Sequence, residues 1–279
     1  MAQRYVRVQL QAGQLHYGLL KADQTVQVLD APPWLMGQPT EAELAPGSYA
    51  MLAPCAPSKV VAVGKNYLEH AAEMGTSAPE NPLLFLKPST TVIAAGASIR
   101  YPAMAKRVDY EGELALIIGD RCVDCTPEAA LTKIWGYTIA NDVTARDLQA
   151  QDGQWTRAKG FDTFCPLGPW IVRELPPGAQ IQTFLNDSPD PVQDASIDDM
   201  VFSPANLVAF VSQIMTLLPG DVVLTGTPAG IGPLQIGDRV RVKIEGIGSL
   251  ENDVLPRQIK GTAPDNADDD LEDRHVLSR

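Results

Sequence analysis

The chain has 279 residues and carries 34 aspartates and glutamates against 22 lysines and arginines, a formal net charge of −12. That length allows one large domain, or one large and one small, with a core able to fold alone. Acidity with scattered basic residues argues against a nucleic-acid partner, and no stretch approaches the ~20 apolar residues that span a bilayer.

The N-terminal "MAQRYVRVQLQAGQ" lacks the apolar run of a secretory signal, so a soluble cytoplasmic protein is expected. Cys55, Cys122, Cys125 and Cys165 are too few and too unevenly spaced for a disulfide framework and are expected to be reduced. In chain order, "RYVRVQL", "LHYGLL" and "TVQVLD" alternate polar and apolar positions, the period of half-buried strands. They predict a small β-domain over residues 1–58, closed by the Pro/Ala-rich "LAPGSYAMLAPCAPS". From residue 59 to 261 the pattern is that of a larger, β-rich α+β domain. Its strands are read at "ELALIIG", "GYTIAND", "GPWIV", "QTFLN", "DVVLTG" and "DRVRVKIEG". Helices are read at "TPEAALTKIWG" and "SPANLVAFVSQIM", where Thr126 and Ser203 are N-caps followed by proline at the first helical position. The tail, residues 262–279, is acidic and poor in apolar residues, and disorder is expected there.

The chemistry-bearing residues cluster in a few of these segments. In "VDYEGELALII", Glu111 and Glu113 are one glycine apart, and on a strand residues i and i+2 share a face. Adjacent carboxylates repel unless a cation or proton neutralises them. Asp142, closing "GYTIAND", supplies a third acid, and three such groups suit a hard divalent ion, Mg²⁺ or Mn²⁺. Spacing alone favours the other reading, a pair of solvated acids at a strand edge. In "GKNYLEHAAEMG", residues 64–75, His70 and Glu73 stand three apart, so a helix would put them on one face with Glu73 orienting His70 as a general base. A solvated surface helix with an incidental histidine fits that spacing as well. "CVDC" at residues 122–125 has metal-like spacing but no second pair, and a structural role is expected, with a redox function the lesser alternative. "GTPAGIG" is neither a Walker sequence nor a dinucleotide fingerprint, and no nucleotide cofactor follows from it.

Taken together and in order, "VGKNYLEHAAEMG", "PLLFLKPSTTV", "VDYEGELALIIG", "GYTIANDVTARDLQ", "WTRAKGFDTFCPLGPW" and "LLPGDVVLTGTPAGIG" resemble the fumarylacetoacetate hydrolase family over about residues 59–260. The resemblance implies a mixed β-sandwich roll and a homodimer. It also implies that Glu111, Glu113 and Asp142 hold Mg²⁺ or Mn²⁺, and that His70 and Glu73 form a dyad on a mobile lid over about residues 70–81. Lys159 would then reach the substrate, with further contacts from Arg146, Gln149 and Thr227. The activity implied is metal-dependent carbon–carbon cleavage beside a 2-oxo acid. That covers hydrolysis of an acylpyruvate-like 1,3-diketo acid, decarboxylation of oxaloacetate, or both, through an enolate that the metal stabilises. Alternatives within the resemblance are an isomerase, tautomerase or hydratase of 2-hydroxy-dienoate or oxaloacetate-type substrates, and a catalytically silent binding protein that keeps the fold. Lys87, in "FLKPS", could anchor a loop or touch substrate, and Lys65 stands where many proteins of this resemblance carry another residue, so no specificity is read from it.

Overall fold

The computed structural model describes residues 2–77 and 79–258; the expected disorder of residues 262–279 lies outside them. The fold is β-rich α+β. The described residues form one twelve-stranded mixed sheet, a five-stranded sheet packed against it, and a three-stranded sheet at the site.

The centre of the large sheet is Gly112–Ile118, antiparallel to Ile134–Asn141 on one side and to Val222–Leu224 on the other. Beyond Val222–Leu224 lie Val60–Gly64, paired in parallel, and the edge strand Leu83–Lys87. Gly112–Ile118 is buried throughout, and its alternation sends side chains into two different cores. Leu114, Leu116 and Ile118 meet Ile181, Val242 and Ile244 of the five-stranded sheet. Ala115 and Ile117 face the opposite way, toward Val60, Ala62, Leu167 and Trp34. A strand covered on both faces reads as a continuous apolar run, as this one does.

The N-terminal strands form where alternation predicts them, at Arg4–Leu10, Leu15–Leu20 and Val26–Leu29. They continue the large sheet, because Arg4–Leu10 pairs with Cys165–Val172 through Tyr5↔Ile171. At the junction, the buried Asp221 carboxylate accepts from the Ser58 backbone and hydroxyl and from the Lys59 ammonium. Both predicted caps are made. The Thr126 side chain accepts from the Ala129 N–H ahead of helix Pro127–Lys133, and the Ser203 side chain from the Asn206 N–H ahead of Pro204–Ser212. Two helices that the sequence reading passed over, Arg146–Asp152 and Thr156–Lys159, are too short for a 3.6-residue period to register. No described helix is long and apolar enough to cross a membrane.

Candidate active site

The site forms where the chain passes from one sheet to another. Val108–Tyr110 belongs to the three-stranded sheet and Gly112–Ile118 to the large one, and Glu111 is the residue between them. The sequence reading placed both glutamates on one strand; in the structure only Glu113 has a regular strand position. Convergence survives because the chain's turn is pinned. Asn141 Oδ1 accepts from the Glu111 N–H at 2.9 Å, and Glu111 O accepts from the Asp142 N–H at 2.8 Å. Carboxylate oxygens of Glu111, Glu113 and Asp142 lie within 4.8 Å of one another, all buried.

The glycine between the glutamates has a steric cause. Gly112 faces the second sheet, and a Cβ there would lie 2.4 Å from Thr183 Oγ1 and 2.9 Å from Val242 Cγ1. Its N–H donates to Gln193 Oε1 at 3.0 Å, and its carbonyl accepts from the Thr227 hydroxyl at 2.8 Å. Gln193 Nε2 donates in turn to Thr227 Oγ1 and Pro228 O, each at 2.8 Å, so one buried amide ties the glutamate pair to the "GTPAG" loop. In that loop the Gly226 N–H donates to Glu113 Oε2 at 2.7 Å. Gly226 has φ +96°, and a Cβ there would lie 2.7 Å from Asn66 Cβ, so a side chain is excluded twice over.

Four cations surround the acids. Lys159 donates to Glu111 Oε2 at 2.8 Å and to Asp142 Oδ2. Lys87, with no exposed surface, donates to Asp142 Oδ1 and to Val143 O. Arg146 spends every nitrogen on the protein: Nε on Asp109 at 2.9 Å, Nη1 on Gln149 at 2.6 Å, and Nη2 on Glu111. Arg107 grips Asp109 from the other side. Burial opposes ionisation of Glu111, but Lys159 and Arg146, with His70 adding to them, outweigh it and hold its carboxyl below the ordinary range. Glu113 goes the other way. Burial, then Asp142 and Glu111, push its carboxyl well above the usual value, and the Gly226 N–H offsets little of this. Three oxygen donors, one of them ionised only against its neighbours' charge, are a set that a hard divalent cation fits.

His70 and Glu73 share a face of the helix Leu68–Glu73, with Nδ1 3.0 Å from Glu73 Oε2. A carboxylate accepts, so Nδ1 carries the proton and Nε2 is the nitrogen left for proton transfer. Glu73 Oε1 also accepts from the Gly230 N–H at 3.1 Å, joining this helix to the loop that follows Thr227. A cavity of about 380 Å³ is lined by Glu111, Glu113, Asp142, His70, Lys159, Arg146, Gln149 and Thr227. Of the nine residues singled out from sequence, Glu73 alone is off its wall, behind His70. Lys65 and Trp155 line it too, and Trp155 stacks edge-on against Phe85 at 5.2 Å.

Sequence reasoning passed over Asp109, Asn141 and Gln193 as site residues. Asp109, in "VDYEGE", is fully buried between two arginines, a setting that no local spacing marks. Lys87 carried a usable signal, a lysine closing the apolar run "LLFL". Cys122 Sγ lies 2.8 Å from Cys125 Sγ, off the cavity, and burial with the Cys125 contact pushes the Cys122 thiol up to about 11. Among the described residues neither belongs to a cluster of metal-ligating groups.

A family profile described as fumarylacetoacetate (FAA) hydrolase C-terminal matches residues 59–255, and one described as Rv2993c-like, N-terminal, matches residues 3–54. A 5-carboxymethyl-2-hydroxymuconate delta-isomerase from Mycobacterium smegmatis superposes with a TM-score of 0.84 at 42% identity, over 91% of this chain and 100% of that one. A fumarylpyruvate hydrolase from Pseudomonas aeruginosa, solved with Mn²⁺ and pyruvate, gives 0.68 at 34% identity, over 76% and 94%. A mitochondrial oxaloacetate tautomerase from Xenopus laevis is 38% identical over 226 residues, 76% of this chain and 70% of that protein.

Proposed function

The chain belongs to the fumarylacetoacetate hydrolase family, and on that premise we propose that it cleaves a carbon–carbon bond beside a 2-oxo acid with a divalent metal ion as cofactor. The observation that carries this reading is the meeting of three buried carboxylates and the His70–Glu73 pair at one cavity. Glu111, Glu113 and Asp142 would hold the ion, and the similarity to a hydrolase solved with Mn²⁺ and pyruvate supports that set. When bound, the ion supplies a Lewis acid for the 2-oxo group.

The remaining steps fall to the chain's own residues. His70 Nε2 takes a proton from the attacking water, and Glu73 orients the ring and stabilises the imidazolium that forms. Lys159, with a third ammonium hydrogen beyond its two carboxylate partners, offsets negative charge on the substrate. Arg146, held by Asp109, keeps Glu111 and Gln149 in place at the wall. Without these cations three acids would repel an anionic substrate.

A second reading, isomerisation or tautomerisation of a 2-hydroxy-dienoate or oxaloacetate-type acid, draws support from the larger share of this chain that the isomerase matches. It needs the same proton-transferring His70 but no water. The test is turnover of acetylpyruvate, fumarylpyruvate, oxaloacetate and a dienoate isomerase substrate, with and without Mg²⁺. Cleavage of the first three dependent on Mg²⁺ is expected. Turnover of none alongside tight metal binding would leave a silent binding protein.

A further inference from the structure

Lys65 differs from the other cations at the cavity. Arg146 and Lys159 are committed to buried carboxylates, whereas among the described residues Lys65 has no hydrogen-bond or ion-pair partner. It is half-buried on the cavity wall. Its backbone has φ +59°, a conformation that costs a side-chain-bearing residue of order 1 kcal/mol or more and persists only where neighbours enforce it. Asn66 enforces it here. Its fully buried amide donates to Phe202 O and Thr225 O and accepts from the Phe202 N–H.

The order of the strands brings Lys65 to the acids' side of the sheet end, where it shares their cavity. Leu224 pairs with Ala115 on one side and Ala62 on the other. Val60–Gly64 therefore runs two strand spacings, about 10 Å, from Gly112–Ile118, and Lys65, the next residue, lines the cavity that Glu111 and Glu113 also line. A ligand whose 2-oxo end meets Glu111 and Glu113 therefore has an uncommitted cation several atoms along its chain, within reach of a flexible four-carbon stem.

We propose that Lys65 forms an anion subsite receiving a carboxylate at the far end of the ligand, so that the cavity selects 2-oxo acids with two carboxylates over those with one. The proposal rests on the reading of the site given above. It is tested by calorimetric titration of the Mn²⁺-loaded protein with 2-oxoglutarate and with 2-oxopentanoate, which share a carbon chain and differ by the terminal carboxylate. Wild type should bind the diacid roughly 10- to 100-fold more tightly, the strength of a charge-assisted hydrogen bond. Lys65→Met, which keeps the stem and its backbone requirement, should reduce that ratio at least about tenfold, and Lys65→Arg should retain most of it. An unchanged ratio in Lys65→Met, or no discrimination in wild type, overturns the subsite alone. If wild type binds Mn²⁺ but neither acid, the subsite and the reading of the cavity as a 2-oxo acid site both fall.

Discussion

Replacing His70 by alanine should separate two reactions that the cavity could serve. The variant fits its surroundings, since alanine is the best helix former and its neighbours Ala71 and Ala72 already occupy this helix. What disappears is the imidazole whose Nδ1 lies 3.0 Å from Glu73 Oε2 and whose ring lines the cavity. Hydrolysis of a 1,3-diketo acid needs an activated water, and a positioned base is worth about 10²- to 10⁴-fold in rate. Decarboxylation of oxaloacetate needs no water nucleophile, so its loss should stay below about tenfold, the residue of altered cavity packing and charge. Glu73→Gln should fall between. The amide has one oxygen for two donors, so it can accept from the His70 Nδ1–H or from the Gly230 N–H but not keep both bonds, and loss of the charged acceptor should lower hydrolysis by about tenfold. The assay is kcat/KM for acetylpyruvate and for oxaloacetate, in wild type and both variants, at saturating Mg²⁺. Equal losses in the two reactions would refute water activation by His70 and assign the dyad to a shared step such as enol protonation.

Gly226→Ala should lower stability by about 1–3 kcal/mol in thermal unfolding and weaken Mn²⁺ binding, because φ +96° and the approach of Asn66 both reject a Cβ where the N–H orients Glu113; wild-type values for both would contradict this. Lys87→Met leaves Asp142 short of a buried cation and should destabilise the metal-free protein by about 3–5 kcal/mol. Mn²⁺ should then raise its melting temperature by more than it raises that of wild type, and equal increments would count against the charge argument. Light scattering should give a dimeric mass, an expectation carried by family resemblance, and a monomeric mass at all concentrations would defeat it.

Much of this site was legible because its residues announce themselves within short segments. Glu111 and Glu113 precede an apolar run, and His70 and Glu73 stand at helical spacing. The spacing could not separate a metal site from solvated acids; what tells against solvated acids is that all three carboxylates are buried and converge. Long-range partners left no local trace. Gln193 reaches Gly112 across 81 positions, and Lys87 reaches Asp142 across 55. The Glu111 break was hidden for a related reason, since "VDYEGELALII" reads as one strand while the chain changes sheets in its middle. Alternation located the N-terminal strands but not their pairing with Cys165–Val172, which closes far along the chain.

The central claim is that Glu111, Glu113 and Asp142 form one divalent-cation site, and calorimetric titration with Mn²⁺ tests it without depending on any substrate. Wild type should bind a single ion per chain. Glu111→Gln, Glu113→Gln and Asp142→Asn, each close in shape to the residue it replaces and lacking its charge, should each weaken or abolish that binding while the folded protein persists in circular dichroism. Isotherms in folded variants that match wild type would contradict the claim, and with it the cofactor on which the proposed chemistry depends.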